Sequence, residues 1–185
     1  MKRIVFISVI MLFAAVAAFA QDDGQRKMTR KERKALQARV DSMLHARADS
    51  AMLDSAFVLE ADEVMFKRGY TAHVTSSTNF VSVCGDRAVV QVAFNVPWSG
   101  FNGMGGITVE GRISQYERKT DKRGNVYLTM GVLGNGISAQ LFITLWAGGN
   151  KASVSVQQNF YSGRITLNGV MVPFDESEVF KGMSL

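Results

Sequence analysis

The chain has 185 residues, 47% of them hydrophobic and 20% charged, which suits a single domain with a sizeable core. Its formal net charge of +5 is unevenly placed: residues 25–47 hold eight Lys/Arg against two acids, whereas residues 48–185 hold eleven against twelve. A basic leader on a near-neutral body excludes a broad nucleic-acid face, and the single cysteine, Cys84, excludes an internal disulfide.

Residues 1–20 have the form of a signal peptide. Lys2 and Arg3 precede an apolar run over 4–18, and Ala18-Phe19-Ala20 offers the small-x-small pattern that a signal peptidase reads, so cleavage is expected before Gln21. The uncharged stretch, 4–20, sits at the lower limit for spanning a bilayer. Gln21, where a lipoprotein needs cysteine, argues against a lipid anchor. No later segment is apolar enough for a membrane helix. The expected address is therefore outside the cytoplasm, in the periplasm or cell envelope. The expected organisation is a signal peptide over 1–20, a polar leader and basic amphipathic helix over 21–56, and an antiparallel β domain over 57–185.

Thr29-Arg30-Lys31-Glu32 has capping-box spacing, and Leu36, Val40, Met43 and Leu44 follow at helical intervals. This predicts a helix from about 30 to 53 with one thin apolar stripe. Its bland role is to pack on the β domain or act as a charged spacer. Its sharper role is docking to an acidic lipid or polymer surface through Arg30, Lys31, Arg33 and Lys34, with Arg39 beyond them.

From Phe57 onward the period becomes two. Ala88, Val90, Val92, Phe94 and Val96 alternate with Arg87, Gln91 and Asn95, and Ile107, Val109 and Ile113 with Thr108, Glu110, Arg112 and Ser114. Further sets are Val126 to Val132, Ile137 to Leu145, Ala152 to Val156, and Ile165 to Met171. Turn chemistry separates them at Gly85-Asp86, Asp121 to Asn125, Asn135-Gly136, Gly148-Gly149-Asn150 and Ser162-Gly163. With strands expected near 57–64, 71–75 and 79–83, the count is eight or nine. Short loops favour an antiparallel meander closing as a lipocalin-like barrel or folding as a sandwich, preceded by one N-terminal α-helix. An outer-membrane barrel shows the same dyad pattern, but clear aromatic girdles are missing and the chain ends Met183-Ser184-Leu185.

Several separated motifs carry a family resemblance. Phe57-Val58-Leu59-Glu60-Ala61-Asp62, Asn79-Phe80-Val81-Ser82-Val83, Asn102 to Gly111, Thr120 to Asn125 and Val179 to Leu185 resemble the domain of unknown function 4251. Cys84 is a small departure, standing where a polar turn residue is expected. The resemblance implies an exported protein of Bacteroidales with a β domain. It brings no established activity, cofactor or catalytic residue.

Little in the chain commits it to chemistry. Two histidines, His45 and His73, and one cysteine supply no zinc spacing, and no Gly-x-Ser-x-Gly elbow occurs. Cys84 reads as an incidental turn residue. No catalytic residue, metal or cofactor is assigned. Glu60, Asp62 and Glu63 form the densest acidic cluster; in a regular strand Glu60 and Asp62 share one face and Glu63 takes the other, which is the pattern of a solvated strand. Asp175, Glu176 and Glu178 read as a solvated turn. Phe66-Lys67-Arg68-Gly69-Tyr70 pairs cations with aromatics, a set able to hold a glycan or an anionic headgroup, and reads first as an ordinary loop.

The segment Pro97 to Gly106 stands out: four glycines give the backbone freedom, while Trp98, Phe101 and Met104 offer apolar contacts. It is either a connection plugging the end of the core or a gate for a small apolar ligand or an envelope partner. The leading reading is a non-enzymatic binding or interaction module. The alternatives are a glycan-directed hydrolase with unassigned carboxylates and a structural envelope spacer tethered by its helix.

Overall fold

Strands that alternate in polarity bury one face and wet the other only when they pair edge to edge around a shared interior. The computed structural model describes residues 28–93, 107–134, 138–158 and 164–180. Helix α1 (Arg30–Leu53) is followed by β1 (Ala56–Phe66), β2 (Thr71–His73), β3 (Phe80–Cys84), β4 (Arg87–Val92) and β5 (Ile107–Thr120). Then come β6 (Val126–Gly134), β7 (Ser138–Leu145), β8 (Lys151–Gln158), β9 (Arg164–Pro173) and a 3-10 turn, Phe174–Glu176.

All neighbours are antiparallel, in the order β2-β1-β3-β4-β5-β6-β7-β8-β9, and β1 also pairs with β9. Eight strands thus close into a barrel, with β2 as an extra strand on the far end of β1. Of the two architectures open from the sequence, barrel and sandwich, the structure is the barrel.

Two compact units divide the chain, residues 1–36 and 37–185. In the first, the capping box forms as its spacing demands. The Thr29 amide donates to Glu32 Oε2 at 2.8 Å, and the Glu32 amide donates to Thr29 Oγ1 at 3.2 Å. Arg30, Lys31, Arg33 and Lys34 are all exposed.

In the second unit the apolar set points inward. Phe57, Leu59, Leu128, Met130, Leu141, Ile143, Leu145, Leu167 and Met171 are fully buried and form one cluster with Ala48, Ala51 and Met52 of α1. Each such large side chain contributes about 1.5–3 kcal/mol on leaving water. The last turns of α1 therefore close one barrel end, where the β3–β4, β5–β6 and β7–β8 turns meet. Asp49 pairs there with Arg118, the Tyr116 hydroxyl donates to the Met52 carbonyl, and His45 Nδ1 lies 3.0 Å from the Gly149 carbonyl. Ser55, at φ +52°, reverses the chain out of the helix into β1. The apolar stripe expected on α1 is not what the helix buries: Leu36, Val40 and Met43 are exposed, and Ala48, Ala51 and Met52 of the final turns take the core.

Two irregularities shape the barrel. A β-bulge lies between Ala61 and Glu63 of β1, and another between Ile113 and Gln115 of β5. At the β1 bulge the β9 backbone comes so near that a Cβ on Gly169 would stand 2.0 Å from the Glu60 carbonyl oxygen. The Asp121–Asn125 turn is held by one carboxylate that accepts from the Arg123 and Asn125 amides and the Asn125 side chain. The Asn125 side-chain bond above all holds the Asp121 carboxyl below its ordinary range.

Candidate functional site

Three places merit scrutiny: the Pro97 to Gly106 segment, the outward face of β1, β3 and β4, and the outer wall over β1, β8 and β9. The first, with Trp98, Phe101 and Met104, lies outside the described residues, as does the Asn135-Gly136 turn.

The second is a covered face. Register places Val58, Phe80, Ser82, Gln91 and Thr108 on the outward set, yet all five are buried. The cover is the chain after β9. Its Ser177 hydroxyl donates to Glu60 Oε1 at 2.6 Å, and its Phe180 amide donates to the Ser77 carbonyl at 2.7 Å. Beneath it, Gln91 Nε2 donates to the carbonyls of Thr78 and Phe180 at 3.0 and 2.8 Å, while its Oε1 accepts from Thr108 Oγ1 at 3.1 Å. Asn79 donates to the Thr75 carbonyl and accepts from the Ala93 amide. Each amide is satisfied, so the cluster acts as a clasp rather than as a reactive centre. Arg47 of α1 pairs with Glu176 in the same segment, which ties the helix to the strap. The Asp175–Glu178 region is thus a partly engaged turn.

On the third face a groove of about 340 Å³ opens in the outer wall. Asp62, Glu63 and His73 line one side, Trp146 and Lys151 the other, with Asn168, Gly169 and Val170 between. The β1 bulge builds it. Inserting Asp62 as the unpaired residue turns Glu63 to the outward face, where it sits opposite both His73 and Asn168. Glu60 and Glu63 therefore share the outward face and Asp62 is extruded at the bulge. The regular-strand expectation put Glu63 on the other side, because the extra residue leaves no trace in a period-two pattern.

Electrostatically the groove is mixed. Asn168 Nδ2 donates to Glu63 Oε1 at 2.7 Å and fixes that carboxylate. Among the described residues nothing pairs with the side chains of Asp62, His73 or Lys151. Trp146 is 47% exposed and Val170 36% exposed. Trp146 was not singled out by sequence reasoning. The available signal was its position: the residue after inward-facing Leu145, at the lip of the Gly148-Gly149-Asn150 turn, must point outward.

Chemically, the groove offers an aromatic face, a positioned carboxylate–amide pair and three groups free to bond. Among the described residues no three His, Cys, Asp or Glu side chains gather to hold a metal ion, and no helix is long and apolar enough to cross a membrane. Cys84 is exposed at the β3–β4 turn.

Comparison with known proteins agrees with this architecture. The family model of a domain of unknown function, DUF4251, matches residues 39–171. A crystal structure of a DUF4251 family protein from Bacteroides eggerthii is 47% identical to this chain, with a TM-score of 0.68. The match covers 80% of this chain and 99% of that one. No curated protein matches.

Proposed function

The chain belongs to the DUF4251 family, and from that premise we propose that it is an exported, non-enzymatic binding module of the cell envelope whose site is the groove in the barrel's outer wall. Export is supported by the Lys2-Arg3 start, the apolar run and Ala18-Phe19-Ala20. Binding is supported by one observation above the rest: the half-exposed Trp146 stands beside Lys151 and faces Asp62 and His73 across a concave slot, and among the described residues none of these three charged or titratable side chains has a partner. A structural wall gains nothing from a wet tryptophan, whereas a recognition site uses its large rigid face.

The exposed Arg30, Lys31, Arg33 and Lys34 fit contact with an acidic envelope surface. Trp98, Phe101 and Met104 remain a second candidate surface for a small apolar ligand, on composition alone.

The test is native mass spectrometry of the protein purified from its source cell. A bound species is expected, lost in Trp146→Ala with an unchanged melting temperature. A bound species equally retained by Trp146→Ala removes the groove as the site.

The hydrolase reading keeps a foothold because Asp62 and Glu63 both line the groove. It demands that Asp62→Asn or Glu63→Gln abolish turnover of a glycan that the variant still binds.

A further inference from the structure

We propose that the groove holds a short neutral stretch of a glycan, two or three sugar rings, lying across the strands with one ring on Trp146. This rests on reading the groove as a binding site and names its ligand class.

The register carries the argument furthest. Thr144 of β7 lies opposite Ser153 of β8, Ser153 opposite Asn168 of β9, Asn168 opposite Glu63 of β1, and Glu63 opposite His73 of β2. All are outward positions, so the wall presents hydroxyl, hydroxyl, amide, carboxylate and imidazole on consecutive strands. Neighbouring strands stand roughly 4.8 Å apart, a spacing close to the length of one pyranose ring. Asn168, Glu63 and His73 of this row line the groove itself, so a sugar chain crossing these strands meets one hydrogen-bonding side chain per ring. The groove's 340 Å³ lies at the low end of small-molecule sites, about 300–1,000 Å³, and limits the number of rings held.

The Glu63–Asn168 pair is already set for such a ligand. With Asn168 Nδ2 bonded to Glu63 Oε1, the free valences facing outward are a carboxylate oxygen, an amide oxygen and one N–H. Adjacent sugar hydroxyls, each both donor and acceptor, match that set without rearrangement. Between the rims, Asn168, Gly169 and Val170 of β9 line the groove.

One apolar face stands in the groove and two more lie beyond it on the outer wall. Trp146 lines the groove, and Tyr127, paired with Thr144, and Phe142, two residues before it, are exposed on the same outward face. Stacking an aromatic ring against the C–H face of a sugar, with hydroxyls turned to polar neighbours, uses both halves of this surface. Charge selects among polymers. Asp62 and Glu63 outnumber Lys151 on the rims, so a polyanion meets net repulsion, while a neutral polyol finds acceptors.

The experiment is titration calorimetry of the purified protein with cellohexaose, xylohexaose, mannohexaose and chitohexaose as neutral probes, and polygalacturonate as the anionic one. At least one neutral probe is expected to bind. Trp146→Ala and Asn168→Ala should each weaken it by about tenfold or more, Trp146→Phe should retain it, and polygalacturonate should not bind. Thermal melts of each variant verify that the barrel is intact. Absence of binding by every neutral probe, or binding indifferent to Trp146→Ala, overturns the glycan assignment. If native mass spectrometry meanwhile finds a non-glycan species lost in Trp146→Ala, the groove stands as the site and only the ligand class falls. If neither ligand responds to Trp146→Ala, both readings fall together.

Discussion

Tyr116 shows how one side chain ties the helix to the sheet. Register puts it opposite Met130 on the inward face of β5, and its hydroxyl donates to the Met52 carbonyl at the end of α1. Burial raises its pKa above 10.0, while the Ser55 hydrogen bond and the Arg118 charge pull it partly back. A raised folded value means that the native state holds the proton more tightly. The stabilisation is therefore complete below pH 10 and is lost as pH climbs through the folded value. Tyr116→Phe should cost about 1 kcal/mol at neutral pH, read by urea unfolding, and should flatten the alkaline fall in stability. An identical fall in both proteins would assign it elsewhere. Sequence alone does not reveal this bond, since Tyr116 reads as one more member of an alternating run until the Ile113/Gln115 bulge sets its phase. The same holds for Glu63, whose outward placement depends on a bulge that composition does not announce.

Among the elements, α1 was legible in extent but not in which residues it buries. The Thr29–Glu32 cap and the polar, Pro-free composition mark a helix from 30 to 53, and it covers Arg30–Leu53. The stripe of Leu36, Val40, Met43 and Leu44 suggested the packing face, yet the fully or nearly buried residues are Ala48, Ala51 and Met52. Close approach to a barrel end favours short side chains around one long plug, and a hydrophobicity count undervalues alanine there. Met52→Ala removes that plug and should destabilise by about 3 kcal/mol, in the usual range for cavities, with the β signal in circular dichroism intact below the lowered midpoint. A loss under about 1 kcal/mol would mean that the helix merely rests on the barrel. The strands were legible because alternation is a direct imprint of one wet and one dry face; the choice of barrel over sandwich stayed open, because β1 and β9 lie at opposite ends of the domain and no local pattern records which distant edge each seeks.

For the molecule as a whole, closure depends on Gly169. It pairs with Ala61 on one side and Ala152 on the other, and the space beside the Glu60 carbonyl admits only hydrogen. Gly169→Ala must push β9 away from β1 or break the bulge, and should cost about 2–4 kcal/mol, visible as a lower denaturant midpoint. A neutral outcome would show that the seam is pliable. The groove is a product of this same seam, which explains why it escaped sequence reading: its members come from β1, β2, β8, β9 and the β7–β8 turn, and only the finished barrel assembles them. Trp98, Phe101 and Met104, conspicuous in the sequence, drew notice because glycine-rich aromatic loops are locally recognisable; Trp146, inconspicuous, needed three dimensions.

The pairing of first strand with last also governs when the molecule can become itself. During synthesis β1 emerges before the other strands and β9 after them, so the ring stays unsealed until its ninth strand arrives. A truncated polypeptide lacking that segment keeps an open edge on β1 with no local substitute. Folding is thereby postponed to one late, cooperative event that joins residues more than a hundred positions apart.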